Sequence, residues 1–513
     1  MRCPVGRVPI FWLPTLGALV LAGAGCSLGQ SGINPPVDQI FLPSGLAVDP
    51  NGNWLYVINS NNDLRFNAGT LLAFDLQKAK RDRDNPAPWA ECNTTHFTDD
   101  NAPETLAGTL DAPCCSDRLQ PHVLNCNERA YVQADATVQI GSFGGDAIIQ
   151  TYTGADGAPV SRVFMVVRAE PSITFVDITH SSGSVHMRCN GPRQDPDPQL
   201  VNPFCDDNWR IRRSSGAAIT DNVLPEEPHS LVLDEDWGIL YVSHLTITVN
   251  RQIVGGGVST IDVNALLAPQ APNVISSIAR VVFPTSPVQG VTAMTLDKPG
   301  NPNGVLYAVA RATPDITGLV LQCREPGQHC NVNDPGARDL SLVPGEEITS
   351  SVFLPSGTDV RGFLLSPYGN NQAYVLHRNS PDVTTSTDPA ALVVLDRGLG
   401  RNGEPANQPS AILEICSGAN QMQFHDAGRG NLLYITCFEG GQIYVVDPQA
   451  PLVVGIIEAG HGPTSLRFSP TDPTSAFVVD FADNDVSVID LKPGSQTEYM
   501  VVQRLGFPHA VTK

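Results

Sequence analysis

The chain has 513 residues, 42% of them hydrophobic and 6% aromatic, and a formal net charge of −21. That content supports a sizeable packed core, and the acidic balance argues against nucleic acid and anionic lipid surfaces as electrostatic partners. Gly (45) and Pro (43) are frequent without a fixed period, and no long window keeps a helical spacing of apolar residues, so an all-β class with many turns is expected.

Taken in order, the chain begins with a targeting segment over residues 1–25. Arg2 and Arg7 supply a basic start, Phe11 to Leu21 an apolar run too short to span a bilayer comfortably, and Ala22 to Gly25 a small-residue cleavage region. Ala24-Gly25-Cys26 resembles a bacterial lipobox, with Gly23 where Leu is usual. The resemblance implies lipidation of Cys26, and Ser27 after it implies release to the outer membrane, periplasmic or surface-exposed. An ordinary secretory signal is the other reading. Residues 26–36, rich in Gly, Ser and Pro, then form a lipidated tether, and the membrane is met only through the anchor.

From residue 37 to 513 one pattern is written seven times: an apolar-alternating strand, a turn, a second strand and a third. First strands begin at Ser44, Asp146, His229, Thr292, Arg361, Asn420 and Thr464. Second strands carry an aromatic near their start, as in Leu55-Tyr56-Val57-Ile58-Asn59, Leu240-Tyr241-Val242 and Ala476-Phe477-Val478. Most third strands end in an acid (Asp75, Asp177, Asp262, Asp396, Asp447, Asp490); the fourth copy runs into Cys323 instead. Copies start between 44 and 102 residues apart, and the shortest spacing is that of an undecorated four-stranded propeller blade. The expected architecture is a seven-bladed β-propeller of four-stranded antiparallel blades, closed by one of two end segments, Val37 to Leu42 or Tyr499 to Leu505. The N-terminal segment is expected to join the last copy or to lie beside it.

Tyr56-Val57-Ile58-Asn59, preceded by Leu46 to Gly52, resembles the YVTN repeat of lactonase-like and surface-layer β-propellers. The resemblance covers roughly residues 37 to 505, as a pattern of strands and turns. It implies the fold and little about activity, since that group includes enzymes and plain binding proteins.

The excess residues gather in two disulfide-bearing insertions, about 77–131 and 180–209, each between a third and a fourth strand. With Cys3 in the leader and Cys26 taken by lipid, an even number of cysteines remains, as a disulfide framework in an oxidising compartment requires. The expected pairs are Cys189 with Cys205, Cys323 with Cys330 and Cys416 with Cys437. The partners among Cys92, Cys114, Cys115 and Cys126 stay open. No Cys-x-x-Cys or haem-attachment motif is present to support metal or haem ligation.

Candidate site residues follow from topology. Starts of first strands and ends of second strands share one face of a propeller, around the central channel. Those positions hold Asn59, Arg168, His229, His244, Arg311, Arg361, His377, His461 and Asp480. Imidazoles with Arg and Asp can ligate metal or move protons; hydrated polar residues at a channel mouth are the plainer reading. Asp49-Pro50-Asn51-Gly52-Asn53 mimics the start of a calcium loop but lacks its spacing, so a tight turn is expected. No nucleophile elbow, zinc-protease or phosphate-loop motif occurs, and the residues leave any cofactor unknown. These readings favour a monomeric, non-catalytic binding or scaffolding module for a protein or envelope component. The alternative is a lactonase-like, lyase-like or metal-dependent enzyme working at the channel mouth.

Overall fold

In the computed structural model, residues 32–506 are described apart from 86–88, 93–112, 155–156, 158, 182, 192–203, 213–223, 250–251, 268–276, 282–289, 299–303, 312–314, 324–337, 350–358, 379–389, 402 and 404. The predicted leader, Cys26 and the Cys323–Cys330 bridge therefore fall outside the described residues.

Seven antiparallel sheets follow one another along the chain. Their innermost strands are Pro43–Val48, Gly144–Thr153, Pro228–Asp234, Val291–Asp297, Asp359–Leu365, Ala419–Asp426 and Pro463–Phe468. Each abuts the next, and the last abuts the first, so the sheets close into a seven-bladed β-propeller, with blades 1 to 7 in chain order.

A single blade exposes two apolar faces, and the ring buries both. The core is accordingly a circle of layers between blades, such as the one joining Leu46, Leu55 and Val57 of blade 1 to Phe477, Val479 and Leu505 of blade 7. The second-strand aromatics explain the repeat. Tyr56, Phe164, Tyr241, Tyr307, Tyr374 and Tyr434 are all buried, wedged into these layers, and truncating one would cost about 3–5 kcal/mol. The acids that end third strands serve turns: Asp396, Asp447 and Asp490 each accept a backbone N–H two residues on. Asp49 does the same for Asn51 (3.1 Å), so the calcium-like stretch is turn chemistry, as expected.

Closure follows the expected end segments and adds a join that residue spacing did not foresee. Met500–Leu505 forms the fourth strand of blade 7, completing that blade from its own copy. The N-terminal segment adds no strand. It lies beside blade 7, where the Leu42 N–H donates to Asn484 Oδ1 (2.6 Å), and Phe41 N–H donates to Asn59 Oδ1 (3.0 Å). The first insertion does the joining. After Asp75 its chain enters a short helix, Leu76–Arg83, capped by the Asp75 carboxylate on the Lys78 N–H (2.8 Å). Later, Cys114–Ser116 and Leu124–Cys126 pair with each other, and Leu124–Cys126 adds in parallel to Met500–Leu505. Blade 1 thus lends two strands to the exposed edge of blade 7. Bridges Cys92–Cys115 and Cys114–Cys126 hold this latch, settling the pairing that spacing left open.

The second insertion also differs from its expected bounds. Gly183, at φ 88°, allows a tight return after Ser181, so Ser184–Arg188 is already the fourth strand of blade 2. The chain leaves only after it, pinned by Cys189–Cys205, and comes back as Arg210–Ile211 along the same third strand. Cys416–Cys437 forms as expected, bracing the start of the first strand and the end of the second in blade 6.

Candidate ligand-binding channel

Every innermost strand carries a bulge near its start, between Pro43 and Gly45 in blade 1, Pro228 and Leu231 in blade 3, and Val360 and Gly362 in blade 5, with counterparts in the other four. A bulge sets two residues against one and re-aims the extra side chain. Here it turns Ser44, Asp146, His229, Thr292, Arg361, Asn420 and Thr464 towards the ring axis, where all line one channel of ≈ 1190 Å³. Several of these side chains also stitch blade to blade. Ser44 Oγ donates to Gly144 O (2.7 Å), Thr292 Oγ1 to Val360 O (2.7 Å), and Asp146 accepts the Leu231 N–H (3.0 Å). The wall of the channel is therefore rigid by construction.

The expected site residues separate into three groups. Arg168, His229 and Arg361 line the channel. Burial and then the positive charges of Arg361, Arg168 and Arg311 push the His229 imidazole down to about 3, so it is neutral at physiological pH. Arg311 and Arg361 share a single carboxylate, Asp359, at 3.8 and 2.5 Å, and desolvation lowers the Arg361 guanidinium from its usual value. Among the described residues Arg168 meets no carboxylate; its guanidinium sits over the Phe143 ring at 6.0 Å.

Asn59, His244, His377 and Asp480 form the second group, buried inside blades. Asn59 Nδ2 donates to Gln39 O (2.9 Å) and Thr70 Oγ1 (2.8 Å), tying the N-terminal segment to blade 1. His244 Nε2 meets Ser259 Oγ (2.9 Å), and burial pushes His244 and His377 down to about 3 and about 4. Asp480 stands in register with Asp485, and its Oδ2 accepts from Ser487 Oγ (2.6 Å); burial pushes both carboxyls up, Asp480 to about 6. His461 stands apart: it is exposed, its Nδ1 2.9 Å from Asp483. Among the described residues no group of three or more His, Cys, Asp or Glu is arranged to hold a metal ion.

Other channel residues had no place in the sequence reading. Arg467 of blade 7 reaches Asp146 of blade 2 (2.8 Å) past blade 1, and Phe438 and Phe481 line the mouth. Both phenylalanines directly follow a second strand, as Arg168 and Arg311 do. The same alignment would have found them, had apolar residues been admitted as site candidates.

No family model matches the chain, and no curated protein matches it. Among solved structures it is similar to Kuenenia stuttgartiensis hydrazine synthase, with TM-score 0.47 and 10% identity over 91% of this chain and 99% of that one. It is also similar to a 6-phosphogluconolactonase-like protein from Bacteroides uniformis, with TM-score 0.39 and 11% identity over 68% and 82%. A dihydro-heme d1 dehydrogenase gives TM-score 0.40 and 10% identity over 76% and 62%. Likenesses at these scores and identities carry no argument about the chemistry of this chain.

Proposed function

We propose that this protein is a non-catalytic binding module of the bacterial envelope whose channel mouth receives an anionic ligand. The observation that supports it is the gathering of Arg168, Arg361 and His229 in one channel, with Arg311 close enough to act on His229, in a chain of net charge −21. Arg311 and Arg361 share Asp359, Arg467 is matched by Asp146, and Glu235 also lines the channel, so four guanidiniums meet three carboxylates and one positive charge is in excess; guanidinium forks suit carboxylate or phosphate oxygens. The histidines favour binding over metal or proton chemistry, since they are distributed among a channel wall, two blade interiors and an exposed pair with Asp483.

In this reading the leader of residues 1–25 exports the chain and is removed, lipid on Cys26 holds the propeller at the outer membrane, and the repeat belongs with the YVTN propellers. Isothermal titration with sodium acetate and with inorganic phosphate at constant ionic strength tests the site. Saturable binding lost in Arg168→Gln and Arg361→Gln is expected; heats no different from a chloride control would overturn it. Metabolic labelling with a palmitate analogue, lost on Cys26→Ser, tests the anchor.

A further inference from the structure

The residue after each second strand holds an equivalent place at the mouth, fixed by one repeated backbone bond. Its N–H donates to the carbonyl just before the first strand of its own blade: Arg168 to Phe143 (3.2 Å), Arg311 to Gly290 (2.9 Å), Phe438 to Gly418 (3.0 Å), Phe481 to Gly462 (3.0 Å). Blade 5 puts Arg378 at this position, one beyond His377 in the same register. The mouth is thus divided. Blades 2, 4 and 5 present guanidiniums, blades 6 and 7 two benzyl rings, and blades 1 and 3 Ser60 and Leu245, held by the same bond (3.1 Å in each).

The rings form a built surface. Phe438 and Phe481 stand 6.2 Å apart at 45°, and both line the same channel as Arg168 and Arg361. Gly462, at φ 73°, lets the Phe438 ring settle against its backbone, since a Cβ there would come within 3.1 Å of the ring. Half-buried aromatic faces that border open space leave apolar surface uncovered, which an apolar ligand would bury. The Arg378–Glu439 pair (3.1 Å) marks the boundary between the two halves and neutralises the guanidinium nearest the rings.

We infer that the ligand of this mouth is an anion carried on a flat apolar or aromatic body, its charged group on Arg168 and Arg361 and its body on Phe438 and Phe481. The inference rests on the anion-binding reading above and narrows it to a chemical class. A channel of ≈ 1190 Å³ accommodates a body well beyond a single ring.

The test compares 2-naphthoate, acetate and 2-naphthol by isothermal titration against the full chain. Naphthoate is expected to bind at least roughly tenfold tighter than either of the others, as a ring contact of this kind contributes on that order. Phe438→Ala with Phe481→Ala should erase that preference, bringing naphthoate affinity down to that of acetate; Phe438→Leu with Phe481→Leu, which keeps an apolar surface, should retain part of it. Acetate binding with no gain for naphthoate would overturn the aromatic inference and leave the anion site standing. Tight naphthol binding insensitive to Arg361→Gln would overturn the shared site, and absence of binding by all three would overturn both readings.

Discussion

Two arcs of the ring treat buried charge in opposite ways. Across blades 2 to 5 the mouth sets guanidiniums and the neutral His229 imidazole around open space, with His244 held neutral in the blade behind it. At the seam of blades 7 and 1 the open space shrinks to a cleft of ≈ 50 Å³, and burial raises the carboxyls held inside the packing. Asp480 and Asp485 face each other across two strands, and burial pushes the Glu128 carboxyl up to about 7, beside the N-terminal segment at Ile40. In the proposed reading the first arc is completed by a bound anion. The second is arranged to be complete, with strands borrowed from an insertion and two disulfides at its edge. In the proposed reading the anion contacts fall on blades 2 and 5, away from the seam, and only the aromatic contact at Phe481 shares a blade with closure.

Breaking the latch tests the contrast most severely. Cys126→Ser removes the bridge to Cys114 and should lower unfolding stability by ~2–4 kcal/mol in a denaturant titration, at every pH, because the reduced chain regains conformational freedom when unfolded. Next comes the seam acid. Below pH 4.5 Glu128 is protonated folded or unfolded. Between there and about 7 only the unfolded chain ionises, so stability falls as pH rises. Glu128→Gln should abolish that decline and add on the order of 3 kcal/mol at pH 8 and nothing at pH 4. The arc should show the reverse sign. His244 stays neutral when folded down to about 3, so the unfolded chain gains protons first as pH drops below 6.5, and stability falls with it. His244→Gln should recover roughly 2 kcal/mol at pH 5 relative to its effect at pH 8. Smallest of all, Arg168→Gln should leave stability within about 0.5 kcal/mol, because its guanidinium meets no carboxylate among the described residues. Its effect should appear only in anion titrations.

The repeat was legible because strand alternation is local: seven first strands were found within a few residues of their ends from apolar spacing alone. The aromatic of the second strand and the terminal acid of the third were visible as pattern, and the inter-blade layers and Asx turns supply their reasons. The site was legible only in part. Reading mouth positions from topology found Arg168, His229 and Arg361. The same reading placed His244, His377 and Asp480 beside them, although these turn into the blades. Which way a side chain faces at a strand end depends on the bulge, and a bulge leaves no mark on residue spacing.

What residue order alone determined is whatever repeats over a few neighbours: strand, turn, blade, and the count of seven. What only the tertiary structure decided is whatever compares residues hundreds of positions apart. That includes the parallel pairing of Leu124–Cys126 with Met500–Leu505 and the reach of Arg467 to Asp146. The physical reason is that closing a ring brings distant segments together by filling space, and no local periodicity records which segment fills it.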